Sequence, residues 1–75
     1  MTTEELKAEA AAIARALREA PTVPADLRKR FLALRGVLFG RGVFNPVLAR
    51  FDTVTVARAS SEELAAQLDA LATSL

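Results

Sequence analysis

Cysteine, histidine, tyrosine and tryptophan are all missing from these 75 residues. Without cysteine there are no disulfides. Without cysteine or histidine, only carboxylates remain as metal ligands, and a structural zinc site prefers sulfur and imidazole. Without histidine, the serines Ser60, Ser61 and Ser74 have no imidazole base to activate them, and no lysine lies near them in the sequence. Glycine and proline number three each, so breaks in regular structure are few and readable. No long apolar run is present either. The longest apolar region, residues 31–44, is interrupted by Arg35 and Arg41 and is too short and too charged to span a bilayer. The opening Met-Thr-Thr-Glu-Glu has no basic stretch or apolar core of a secretory signal. A cytoplasmic setting with no membrane partner is the expectation.

The apolar residues that are present repeat. Leu6, Ala10, Ile13 and Leu17 are spaced i, i+4, i+7, i+11. So are Leu27, Phe31, Leu34 and Leu38, and again Leu64, Leu68, Leu71 and Leu75. That spacing marks one face of an α-helix. The reading is a single all-α domain over residues 1–75. It is a small bundle of three main helices at about 3–19, 24–39 and 61–74, with a short helix at about 46–52 and an extended connector. Phe31, Leu34, Ile13 and Leu68 are the expected core. A chain of this length buries only about 60% of its unfolded surface, so a second copy is a natural source of further burial.

The punctuation agrees with these boundaries. Thr2 with Glu5, and Ser60 with Glu63, each have capping-box spacing. Pro24 suits the first turn of the second helix. Pro21 ends the first helix near Glu19 or Ala20, and Gly40 and Gly42 offer left-handed positions for ending the second. Asn45-Pro46 reads as the start of the short helix, and the alternating β-branched residues 53–56 favour extended backbone. Glu19 is placed to pair with Arg15 one turn away.

No acid–base chemistry emerges from what is left. Seven of the nine carboxylates lie in the first or last helix. Glu4, Glu5, Glu62 and Glu63 are accounted for by helix starts, and the rest lie off the apolar stripes, away from burial that would raise a pKa. No catalytic residue, metal ligand or cofactor is expected. Gly40-Arg41-Gly42 lacks the lysine and hydroxyl of a phosphate loop. Acyl carrier proteins are comparably short and helical, but their Asp-Ser-Leu attachment site is absent. A helix-turn-helix reader would need a tighter turn than residues 40–45 allow.

Charge and the second helix carry the functional content. Residues 21–59 hold seven bases against Asp26 and Asp52, a net +5 in a chain whose total is +1. On a helical wheel with Leu27 as origin, Leu32 and Phe39 fall at about 120–140°, away from the main stripe. This helix is therefore apolar on two sides. The candidate interface is Leu32, Gly36 and Phe39 edged by Arg28 and Arg35. The expected function is a non-catalytic protein-interaction module, homodimeric or an accessory subunit of a larger assembly. The alternative is a small nucleic-acid-binding protein. For an anionic partner of either kind, the candidate contacts are Arg28, Lys29, Arg35 and Arg41.

Overall fold

A computed structural model describes residues 2–20, 24–46, 48 and 58–75. Among them are three long helices, α1 (Thr3–Glu19), α2 (Ala25–Gly40) and α3 (Arg58–Ser74), and no strand. Of the short helix expected over 46–52, only Pro46 and Leu48 are described, and both are helical. The rest of it and the expected extended stretch 53–56 lie outside the described residues.

α1 starts as its sequence requires. The Glu5 N–H donates to Thr2 Oγ1 at 3.2 Å, and the Thr2 N–H donates to Glu5 Oε1 at 3.0 Å. The backbone and hydroxyl of Thr2 hold the Glu5 carboxylate below its ordinary pKa, with the N-terminal charge and Arg41 adding to the effect. At the other end Ala20 is extended, as the residue before a proline tends to be, and its N–H donates to Ala16.

Pro24 stands one position further out than expected. It is the N-cap of α2 rather than part of its first turn. It has no side chain that can cap, and its carbonyl accepts from Arg28. The helix ends in a Schellman motif, in which the Val43 N–H reaches Leu38 and the Gly42 N–H reaches Phe39. Gly42 takes φ +77°, the left-handed conformation this motif demands, while Gly40 stays helical.

The start of α3 departs from expectation. The helix begins at Arg58, so Ser60 is a helical residue and the Ser60–Glu63 capping box is not the start signal. Arg58 and Ala59 are good helix formers and allow the helix to run back past the serines. Ser61 consequently lies on the inward stripe, one turn before Leu64, and is buried.

The core matches the three stripes. Phe31, Ile13, Leu38 and Leu68 are fully buried, and of the twelve stripe residues only Leu75 is partly exposed. Among the described residues, α1 makes more extensive contact with α3 than with α2. Arg18 Nη1 donates to Asp69 Oδ2 at 2.7 Å, joining the C-terminal parts of α1 and α3. Ala10 and Ala14 of α1 and Ser61 and Ala65 of α3 are at most 1% exposed. Small buried side chains on both helices permit a close approach, since axial separation follows side-chain size.

Ser61 Oγ is buried and has no hydrogen-bond partner among the described residues. An unsatisfied buried hydroxyl is destabilising, so Ser61→Ala is expected to stabilise the protein by about 1 kcal/mol. The melting temperature should rise by roughly 4–8 °C for a domain of this size. A lowered melting temperature on a thermal scan would show that the hydroxyl is satisfied in solution.

Candidate functional site

The outward side of α2 is built by the same helical geometry that buries its stripe. Leu32 is 37% exposed and Phe39 41%. Seven residues separate them, so they share a face about a third of a turn from Phe31 and Leu34. Phe44 joins them. The left-handed turn at Gly42 returns the chain so that the Phe44 ring stacks on Phe39, with centroids 5.4 Å apart and planes inclined at 29°. Phe44 is itself 75% exposed. The result is an apolar ridge of Leu32 and the Phe39–Phe44 stack over the C-terminal half of α2. Phe44 was not among the candidate interface residues. Its signal was the helix-stop glycine two positions before it, which turns the following chain back against the helix.

Gly36 lies between Leu32 and Phe39 and is exposed. A Cβ built there would meet nothing within 4 Å. Glycine in a helix interior is about 1 kcal/mol less favourable than alanine, and no contact within the described chain requires it.

The cations fall into separate groups. Arg28 and Lys29 are exposed at the N-terminal end of α2, and neither makes an ion pair among the described residues. Arg30 is engaged by Glu9 of α1, which stabilises its charged form. Arg35 is half-buried, with Nη1 3.4 Å from the Leu48 carbonyl, a long and weak contact. Arg41 is exposed at the far end, near enough to Glu5 to act on it electrostatically. It is about 20 Å along the axis from Arg28, at 1.5 Å per residue. The four candidate anion contacts are therefore spread along α2 rather than gathered at one point.

Arg15 and Glu19 do not pair, and Arg18 reaches Asp69 instead. The order explains part of this, because a base preceding an acid by one turn is the weaker arrangement.

No matching protein-family model, curated protein or solved structure is found for this chain. The chemistry of the surface must therefore be judged from its own residues. No carboxylate among the described residues is buried, and none of the acidic residues there gather into a group of three that could hold a metal ion. No helix among them is long and apolar enough to cross a membrane. A shallow depression of about 220 Å³ on α1 is lined by Ala8, Ala11, Ala12 and Arg15, which offer methyl groups and one guanidinium. The α2 ridge combines exposed aromatic and aliphatic surface with arginine at its edge, the composition enriched at the centres of protein interfaces.

Proposed function

We propose that this chain is a non-catalytic helical protein-interaction module that acts through the outer face of α2. It pairs with itself as a homodimer or serves as an accessory subunit of a larger assembly, in a cytoplasmic setting. The observation that supports this most is the exposure of Leu32, Phe39 and Phe44, with the Phe44 ring stacked on Phe39. Together these side chains leave on the order of 300 Å² of apolar surface in water, the size of patch that tends to be functional on a small monomer.

A second reading is supported by Arg28, Lys29 and Arg41, which make no ion pair among the described residues. A nucleic acid would use them through its phosphates, with an affinity that falls steeply with salt. Their spread along α2 and the absence of tyrosine, tryptophan and histidine make this the weaker reading.

The two are separated by titrating duplex and single-stranded DNA and RNA at about 150 mM salt, where unspecific binding is typically only micromolar or weaker. The expected result is weak binding that is indifferent to sequence. Submicromolar affinity, abolished by Arg28→Glu with Lys29→Glu in a protein that stays folded, would overturn the interaction-module reading.

A further inference from the structure

The interaction-module reading, on which this proposal rests in its accessory-subunit form, leaves open what kind of partner meets α2. The cations of this helix divide by face. Arg30, towards α1, is taken by Glu9. Arg28 and Lys29 are exposed and make no ion pair among the described residues. They precede Leu32 by four and three residues, so both are its close neighbours on the helix surface. The only acid of α2, Asp26, lies about 120° round the helix from Leu32, off this face. Beyond Leu32, a side chain at Gly36 would meet nothing within 4 Å, which leaves an open seat between Leu32 and Phe39. The Phe44 ring, stacked on Phe39, closes the far end. We propose that this face of α2 docks an acidic amphipathic helix of another protein. One apolar side chain of that helix seats over Gly36 and a second packs on the Phe39–Phe44 stack, while carboxylates about two turns away meet Arg28 and Lys29.

Charge selects the acidic partner. A second copy of α2 brings no carboxylate to this face. Laid parallel, it sets Arg28 and Lys29 against their own counterparts, and laid antiparallel it sets them against the exposed Arg41. An anionic lipid surface would satisfy the cations but has no side chain to seat over Gly36. Spacing selects a helix. From Arg28 to Phe39 is about 16 Å along the axis, three turns of a partner helix, and the seat lies about 11–12 Å from the two cations. A helix whose carboxylates stand seven or eight residues from its first apolar anchor presents both on one face. Area sets the strength. The exposed parts of Leu32, Phe39 and Phe44, with the aliphatic stems of Arg28 and Lys29, suit a transient contact rather than a permanent one. The dissociation constant should lie on the order of tens to hundreds of micromolar. Much of the discrimination between partners then comes from the charges, since complementary potentials speed encounter and reject wrong partners.

The test is a selection from a displayed library of helical peptides about four turns long, with the unmodified chain as bait at about 150 mM salt. Enriched peptides are expected to carry two apolar residues three or four positions apart, with Asp or Glu seven or eight positions from the first. The best of them should bind Arg28→Glu with Lys29→Glu at least tenfold more weakly, and a selection on that double variant should enrich Lys or Arg at the same positions. Gly36→Leu should also bind it at least tenfold more weakly. Its melting temperature should hold or rise, because the space beside Gly36 is open within the chain. No enrichment, or enriched peptides without an acidic excess, would overturn the proposal. So would binding that Gly36→Leu leaves unchanged. Two further outcomes assign the face elsewhere and overturn it as well. One is cosedimentation with vesicles of equal parts phosphatidylcholine and phosphatidylserine that Gly36→Leu does not alter. The other is a dimer in sedimentation equilibrium that Phe44→Ala dissociates, which would keep the interaction module as a homodimer. The nucleic-acid titration alone decides against an interaction module altogether.

Discussion

Phe31→Ala is expected to unfold most of the protein. Phe31 has no exposed surface and is the largest fully buried side chain in the core. α2 gains little from backbone proximity to α1, so Leu27, Phe31, Leu34 and Leu38 must hold it in place. Truncating a buried phenylalanine costs about 3–5 kcal/mol, through lost transfer free energy and the cavity that remains. A 75-residue domain has a total stability of only about 4–11 kcal/mol. Urea denaturation followed by circular dichroism should show the midpoint falling by half or more, or a protein already unfolded in buffer. An unchanged midpoint would mean that the α2 stripe does not form the core.

Ala14→Leu should be nearly as damaging for the opposite reason. Ala14 is fully buried on α1, the helix that packs mainly against α3. Three added carbons have no space there unless the helices separate, and overpacking of this kind costs about 1–3 kcal/mol or more. The expected melting temperature is lower by roughly 4–8 °C for each kcal/mol lost. The same residue introduced at position 36 should leave the fold intact, because that site is open. Thermal scans of the two leucine variants side by side would compare a closed position with an open one. A melting temperature for Ala14→Leu equal to that of the unmodified chain would disprove close packing around Ala14.

What could be read in advance followed the kind of signal. The stripes from Leu6 to Leu17 and from Leu27 to Leu38 were legible because helical periodicity is a local property written in the spacing. The Thr2–Glu5 cap was legible for the same reason. Ser60 misled because a hydroxyl three residues before Glu63 reads as a helix start, and propensity alone does not show that Arg58 and Ala59 extend the helix upstream. The Arg18–Asp69 bridge depends on the register between helices 51 positions apart in sequence, and no local pattern encodes that. The small residues of the α1–α3 seam were hidden in a chain rich in alanine, where a buried alanine and an exposed one look alike. Leu32 and Phe39 were found from the wheel. Phe44 was not, since its place on the ridge follows from the φ of Gly42. The arginines were found as a group, but that Arg35 turns towards Leu48 and Arg30 towards Glu9 depends on contacts between elements, which no local pattern encodes.

The α1–α3 seam also bears on how quickly the protein folds. Small helical proteins fold fast when their contacts are local. Here the helix pair in most extensive contact is α1 with α3, whose bridged residues Arg18 and Asp69 are 51 apart in sequence. The loop must close before the seam repays the lost chain entropy. α2 can meet α1 early through the shorter connection, yet that contact is the looser one. The rate-limiting event should then be the arrival of α3 on α1. A substitution such as Ser61→Ala would change the folding rate if the seam is already closed at the barrier, and the unfolding rate if it closes afterwards.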